Sequence, residues 1–240
     1  MGSNNKDNYK LEFSRHEHKY YVPRHIENEL LKHFSERCYE DKYNKGLKTY
    51  TVNSIYMDTP EFTFYRDKID GYPHRSKVRL RTYSRDFDKG DNYFLEIKSK
   101  TYDKMYKERT PLSRKMVKDI LDGKINFMDI PKSEKVFQRV RNMNLVAWLK
   151  PVSKVIYDRI SFYDRLDDFK ISFDFDTTSY HPKSELAPGQ NFSSIFNMNT
   201  IMEFKFQNEV PRYALDVVKK HSLQRTAISK YCSSIDLLYN

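Results

Sequence analysis

The sequence has few of the residues that mark several common kinds of functional site. Its six glycines stand at positions 2, 46, 71, 90, 123 and 189, and no two of them have the G-x-x-x-x-G or G-x-G spacing of a phosphate-binding loop. Its two cysteines, Cys38 and Cys232, lie far apart, which excludes a disulfide-rich scaffold and a cysteine-rich zinc site. Any phosphate group would therefore have to be held by side chains.

Long apolar segments are also missing. The longest aliphatic or aromatic run is about LVAWL at 145–149, far short of the roughly 20 residues that a membrane-spanning helix needs. The first residues also do not show the pattern of a signal peptide, which is a basic segment followed by an apolar stretch. We therefore expect a cytoplasmic protein, with residues 1–8 as a disordered tail and 9–240 as a single domain, since no linker-like segment divides the chain.

Charge is abundant instead. Lys and Arg number 43 against 33 Asp and Glu, which gives a formal net charge of +10. A basic surplus of this size indicates an anionic partner, which could be nucleic acid, an acidic membrane surface or a phosphorylated small molecule. Aromatic residues make up 15% of the chain, mostly Tyr and Phe, and this favours strands.

Charged and apolar residues alternate along six of seven predicted strands. These strands are predicted at 11–22, 49–58, 74–84, 92–101, 152–161, 168–176 and 200–207. In RSKVRLRTY, the alternate basic residues from Arg75 to Arg81 share one face, while Val78 and Leu80 share the other. Helices are predicted between the strands: one after Pro23, a short one opened by Thr59-Pro60, and others at 112–122, 133–147, 212–221 and 226–239. The segment 178–198 is predicted to be a loop.

An antiparallel sheet with one solvated face would also show this alternation. However, nearly every position on the polar faces is ionised, and a row of cations repels itself unless an anion lies among them. A closed barrel would turn the charged faces inward, and amphipathic helices would cover its apolar outside. The sequence therefore predicts an α+β fold built on a closed antiparallel β-barrel, or tunnel, with a charged interior.

The acidic residues on the charged faces can be read in two ways. Glu17, Glu96 and Glu203 could ligate Mg²⁺ or Mn²⁺ that bridges to phosphate oxygens, or each could form salt bridges with its strand neighbours. The basic residues are suited to phosphate, with Arg acting as a bidentate fork and Lys as a point charge.

Eight motifs, in order along the chain, resemble a known family. They are FSRHEHKY, SIYMDT followed by GYPHRSKVRLRTY, YFLEIK, KER at 107–109, YDRISF, KISFD, MEFKF and SKY. Together they resemble the polyphosphate polymerase (VTC) domain, within the triphosphate tunnel metalloenzymes (CYTH-like), from about residue 12 to 231. The resemblance implies a tunnel in which the γ-phosphate of ATP is added to a growing polyphosphate chain with Mn²⁺ or Mg²⁺.

The strand pattern and the resemblance together indicate site residues. The expected ligands of nucleotide and polyphosphate are Arg15, Lys19, Arg79, Arg81, Lys98, Lys107, Arg109, Arg159, Lys170, Lys205 and Lys230. Among them Arg79, Arg81, Lys98 and Arg159 are expected to be catalytic. Glu203 matches the metal-binding glutamate of the family, with Glu17 and Glu96 as further metal candidates. Lys170 stands where an Arg is expected, which keeps the charge and loses the fork.

Two other functions remain open from the sequence. A hydrolase of the same fold would use water as the acceptor, and a non-catalytic module would only bind polyphosphate. Nucleic acid is not expected as a partner, because most strand aromatics are predicted to lie opposite the basic face, with Phe13, Tyr83 and Tyr157 as the exceptions. A membrane partner stays undetermined.

Overall fold

The computed structural model describes residues 12–44, 46–124, 135–164, 168–182, 193–196 and 199–239. The predicted tail at 1–8 lies outside them. The strands are β1 (Glu12–Val22), β2 (Tyr39–Glu40), β3 (Tyr50–Asp58), β4 (His74–Thr82), β5 (Tyr93–Thr101), β6 (Lys104–Leu112), β7 (Lys150–Tyr163), β8 (Phe169–Tyr180), β9 (Ser193–Ser194) and β10 (Thr200–Phe206). The helices are α1 (Arg24–Ser35), α2 (Thr63–Ile69), α3 (Arg114–Leu121), α4 (Lys135–Ala147), α5 (Arg212–Lys220) and α6 (Lys230–Tyr239).

The strands form one antiparallel sheet that closes on itself. Around the ring the order is β7, β3, β4, β5, β6, β1, β10 and β8, and the pairing of β8 with β7 completes the circle. The short strands β2 and β9 pair with β7 and β8 respectively. Closure removes the exposed edges that an open sheet would present. The predicted α+β fold with a closed antiparallel tunnel is confirmed.

Helices cover the apolar outside of the ring in two groups. Leu30 and Phe34 of α1 and Ala214 of α5 pack on one half, against residues such as Phe204. Val117 and Ile120 of α3, together with Val140 of α4, pack on the other half against Leu80 and Leu95. Alternation along the strands directs apolar side chains outward to these helices, so the charged side chains point into the tunnel.

The C-terminal helix α6 packs on the inside. Tyr231, Cys232 and Ile235 contact Tyr56 of β3 and Tyr157 of β7, which lie on the inward faces of their strands. The Tyr231 hydroxyl donates to the buried carboxylate of Asp58, which also accepts from the backbone amides of α2. The helix thus fills part of the tunnel and places Lys230, at its first position, near the centre.

Several predicted boundaries were wrong. Strand β6 was not predicted, because KMYKERTPL combines weak strand formers with a proline, and only its pairing with β5 and β1 makes it extended.

Helix α2 begins at Thr63, after Pro60, where the Thr59 hydroxyl accepts from the Thr63 amide. Strand β8 continues to Tyr180, into the predicted loop, and most of the rest of that loop lies outside the described residues. Residues 226–229, predicted as helix, precede α6.

Candidate active site

The first ion-pair group of the tunnel surrounds Glu96. Register pairs Arg79 of β4 with Glu96 of β5, and Glu96 with Arg109 of β6. The Arg79 Nη2 atom lies 2.7 Å from Glu96 Oε2, Arg81 Nη1 lies 3.5 Å from the same oxygen, and Lys107 Nζ lies 2.5 Å from Oε1. One carboxylate therefore orients two guanidinium groups and an ammonium group.

Electrostatics favour the ionised form of Glu96, whereas burial opposes that of Lys107. Burial alone would raise the pKa of Glu96, but the charges of Arg81, Lys107 and Arg79 hold it well below its usual range. Burial also lowers the pKa of Lys107 well below its usual value, in spite of the attraction of Glu96. Arg79 donates through Nη1 to the Tyr56 hydroxyl at 3.2 Å, and Arg81 donates through Nε to Ser54 at 3.1 Å. The two forks are held before any ligand arrives.

The second group surrounds Glu203 and Asp174. The ammonium groups of Lys205, Lys19 and Lys230 lie 2.8, 3.3 and 3.4 Å from Glu203 oxygens. Arg159 donates to both oxygens of Asp174, at 2.5 and 2.8 Å, and Lys230 Nζ lies 2.5 Å from Asp174 Oδ2. Burial opposes ionisation of Glu203, but Lys19 and Lys205 hold its pKa well below the usual range. Arg159 is thus oriented by Asp174 much as Arg79 is by Glu96.

A third group joins Glu17 to Lys98. Their Nζ and Oε2 atoms lie 2.7 Å apart, and Arg15 Nε lies 3.6 Å from Glu17 Oε1. Burial opposes ionisation of Glu17, but the charges of Lys98, Lys19 and Lys205 together outweigh it and lower the pKa of the carboxyl. Cations outnumber carboxylates in the described part of the tunnel, so its interior retains a positive potential that favours a polyanion.

One end of the tunnel opens into a basic cavity of about 690 Å³. We call it the basic mouth; its charged lining residues are Lys19, Lys68, Arg75, Lys77, Lys98, Lys100 and Arg225, with Glu17 and Asp103. Lys77 donates to the Ser229 hydroxyl at 2.7 Å, and burial lowers its pKa to about 7. Lys68, Arg225 and Ser229 were not predicted, because they lie on a helix and a loop, outside the strand pattern.

The other end carries aromatic side chains. We call it the aromatic mouth and define it by Tyr43, Tyr50, Tyr83 and Phe94. Tyr50 and Phe94 share the inward faces of β3 and β5 with charged or polar residues, as does Tyr56. The expectation that Phe13, Tyr83 and Tyr157 were the main aromatics on the charged faces was therefore wrong, since alternation from Ser54 and Glu96 reaches these rings too.

The structure brings most of the predicted residues together, with two at the periphery. Lys170 lies at the start of β8, where its ammonium group is 2.6 Å from Asp41 Oδ2. Arg109 places its guanidinium 4.8 Å from the centre of the Phe94 ring, at the aromatic mouth. Asp174 was seen in the strand pattern but not selected, and its bidentate contact with Arg159 makes it an orienting residue.

The acidic residues do not form a metal cage by themselves. Across the described ranges, no group of three or more His, Cys, Asp or Glu side chains is placed to hold a metal ion. Each of Glu17, Glu96 and Glu203 contacts cations instead. None of the described helices is both long and apolar enough to cross a membrane.

Comparison with known proteins adds to this geometry. The sequence model of the VTC domain matches residues 14–239. The chain is 27% identical over 173 residues to Vacuolar transporter chaperone complex subunit 4 of Schizosaccharomyces pombe, an alignment that covers 62% of this chain and 24% of that relative. A structure from Bacillus halodurans, provisionally described as an adenylate cyclase, superposes with a TM-score of 0.60 over 96% of this chain and 100% of its own, at 13% identity. At that identity the likeness concerns the fold alone.

Proposed function

Because the chain belongs to the VTC domain family, we propose that it is a polyphosphate polymerase, which transfers the γ-phosphate of ATP to the end of a growing polyphosphate chain. The observation that carries this proposal is the closed tunnel whose centre presents Arg79, Arg81 and Arg159, each oriented by a buried carboxylate. The chain spans about a quarter of the curated relative that it matches, so the activity is proposed for this domain alone.

The chemistry is positioning and charge stabilisation. Phosphoryl transfer spreads negative charge over the equatorial oxygens of the transferred group, so fixed cations lower the barrier. Arg79 and Arg81 would bind the phosphates of the nucleotide, and Arg159 with Lys98 would stabilise the charge that develops at the transferred group. Lys19, Lys205 and Lys230 stand around Glu203 and would hold the neighbouring phosphates. No side chain has to act as a covalent nucleophile.

A divalent metal fits this site only together with phosphate. Mg²⁺ is commonly bound by one or two carboxylates, with substrate phosphates and water completing its shell. Glu203, which lies among phosphate-binding candidates, would be that carboxylate, and Mn²⁺ or Mg²⁺ there would supply neutralisation of phosphate charge. Glu17 would then orient Lys98, and Glu96 would orient Arg79 and Arg81, instead of ligating the metal.

The second candidate is a triphosphatase of the same fold. The same cations would serve hydrolysis, with water as the acceptor. The basic mouth favours the polymerase, because a cavity whose charged lining residues are mainly cations lies next to the centre and suits a chain longer than a triphosphate. We also infer a cytoplasmic location and no nucleic-acid substrate.

The proposal is tested by incubating the protein with ATP and Mn²⁺ or Mg²⁺ and separating the products on a gel. A ladder that exopolyphosphatase degrades, formed together with ADP, is the expected result, and a chelator should abolish it. Free phosphate without chains would support the triphosphatase. Glu203→Gln should lose activity with either metal, while the control Glu29→Gln, at an exposed position of α1 that pairs with Lys220, should keep it.

A further inference from the structure

The aromatic mouth is a continuous set of rings, partly open to solvent. Tyr43 and Tyr83 are nearly parallel, with ring centres 6.5 Å apart and an angle of 6° between their planes. Tyr50 lies 5.9 Å from Tyr43 and 6.2 Å from Tyr83, and Phe94 lies 6.2 Å from Tyr83. Tyr43 is 63% exposed and Tyr83 41% exposed, whereas Phe94 is buried. Large aromatic surface is thus presented to solvent at the opening of a cationic tunnel.

This mouth borders the phosphate-binding candidates directly. Phe94 is the cross-strand partner of Arg81, and Tyr50 is the partner of Arg159. The Arg109 guanidinium lies over the Phe94 ring. A triphosphate gripped by Arg79 and Arg81 would therefore have an aromatic surface next to one of its ends.

The opposite end offers a different environment. Seven Lys and Arg side chains line the basic mouth against only Glu17 and Asp103, so it attracts further phosphate groups. The rings in its lining, those of His16, His18 and Phe206, pack on one another. A nucleoside triphosphate has one uncharged aromatic end and one highly charged end. The two mouths match these two ends in only one orientation.

We infer that the aromatic mouth is a nucleobase platform, on which Tyr43 and Tyr83 stack with the base of the nucleoside triphosphate whose phosphates lie among Arg79, Arg81 and Arg159. This inference rests on the proposed function, because it names the part of the site that takes the nucleoside. Stacking on an aromatic face is tolerant of base identity, since every base has a π-face. The platform therefore binds ATP and GTP with similar affinity and distinguishes both from inorganic tripolyphosphate.

The test compares two ligands that differ in the nucleoside. The dissociation constants of ATP and of inorganic tripolyphosphate are measured by calorimetry for the unmodified protein and for Tyr83→Ala, Tyr43→Ala and Tyr83→Phe. Tyr83→Ala should weaken ATP binding roughly tenfold, a factor equivalent to about 1.4 kcal/mol and within the range for base–aromatic stacking. Tripolyphosphate binding should stay within about twofold, and Tyr83→Phe, which keeps the ring, should bind ATP as before.

Tyr72→Ala is the matched control. Tyr72 is 55% exposed and precedes β4, at the end of that strand opposite Tyr83. Its loss should therefore change the dissociation constant of neither ligand. Equal weakening of both ligands in Tyr83→Ala, or no change in either, would overturn the platform and leave the polymerase proposal intact. If Tyr83→Ala weakens the binding of ATP but not of tripolyphosphate, and the unmodified protein makes no polyphosphate chains, the platform is supported and the polymerase is refuted. Failure of the unmodified protein to bind ATP or tripolyphosphate would refute both.

Discussion

The two mouths of the tunnel are built on the same strands, yet they carry opposite chemistry. Along the inward face of β4 the side chains change from Arg75 and Lys77 to Arg79 and Arg81, and then to Tyr83 just after the strand. At about 3.3 Å per residue, the first and last of these lie roughly 25 Å apart. On β5 the same change runs in reverse, from Phe94 through Glu96 to Lys98 and Lys100. Antiparallel pairing aligns the two gradients, so one end becomes aromatic and the other basic.

The comparison shows that alternation along a strand determines only on which face a side chain lies. The position of the residue along the strand determines which end of the tunnel the side chain lines. Because its two ends differ in this way, the tunnel determines in which direction a bound chain lies. The centre, where Arg79, Arg81 and Arg159 are oriented by carboxylates, belongs to both gradients and should be the most sensitive to mutation.

The largest effect is expected at the centre. Arg81→Met should reduce turnover by about 10³-fold or more, by analogy with the loss of arginines that stabilise phosphoryl-transfer transition states. The fold should survive, because Glu96 keeps Arg79 and Lys107 as partners. Initial rates of ADP release, with circular dichroism as a check on folding, measure this. Arg37→Met, outside the tunnel, is the control, and an Arg81→Met rate within tenfold of normal would place the chemistry elsewhere.

The next effect distinguishes the basic mouth from the centre. The double variant Arg75→Gln and Lys100→Gln should weaken binding of long-chain polyphosphate about tenfold at low salt and flatten its dependence on salt concentration, because two phosphate contacts are removed. ATP binding should hardly change, since the nucleotide is assigned to the other end. Fluorescence anisotropy with a labelled polyphosphate measures the binding of polyphosphate, and calorimetry measures the binding of ATP.

A suitable control is Lys32→Gln with Arg37→Gln, which removes the same charge from exposed positions at the outside of the ring. A loss of polyphosphate affinity in the control equal to that in the mouth variant would show that net charge alone is responsible. The basic mouth would then have no specific role.

A smaller, pH-dependent effect is expected from Lys77. Burial, together with repulsion from Lys19, Lys98 and Lys68, lowers its pKa from an ordinary value of 10.5 to about 7, although Cys232 opposes this. Tripolyphosphate should therefore bind less tightly as the pH rises from 6.5 to 8.5, because the neutral amine attracts no anion. Lys77→Met should bind more weakly at pH 6.5 and show a shallower pH dependence, measured by calorimetry.

Stability gives an independent readout of the same group. Between pH 7 and 10.5 the unfolded chain holds the Lys77 proton and the folded chain does not, so this group makes the free energy of unfolding rise with pH. Lys77→Met should remove that contribution, and its stabilising effect in urea should be larger at pH 6.5 than at pH 9. An equal effect at both values would mean that Lys77 titrates normally.

Alternation predicted the core of this molecule well, because a period of two along a strand is a local property. It identified the inward faces of β1, β4, β5 and β10, and hence Arg79 and Arg81 beside Glu96 and Lys19 and Lys205 beside Glu203. What it could not predict depends on pairing between distant segments. Lys107 and Arg109 were named only through the family resemblance, because β6 is extended by its neighbours and not by its own propensity.

The mouths were the least predictable part. Tyr43 belongs to a turn between β2 and β3, and Arg225 to the segment that pairs with Tyr20 of β1, so no strand pattern includes them. The metal prediction likewise rested on residue type. The structure shows the partners of the three glutamates, and these partners separate Glu203, which lies among four cations, from Glu96, which orients two guanidinium groups.

The smallest effect is expected for Lys170→Arg, which restores the side chain that the family resemblance calls for. If the fork were needed for catalysis, turnover should rise severalfold. The structure argues for little change, because the Lys170 side chain is 39% exposed at the start of β8 and pairs with Asp41. An Arg there would keep that pair, and ion pairs this exposed contribute only about 0–1 kcal/mol. We therefore expect turnover within about twofold of normal in the gel and ADP assays. A severalfold gain would show that the catalytic centre extends to Lys170, toward the aromatic mouth.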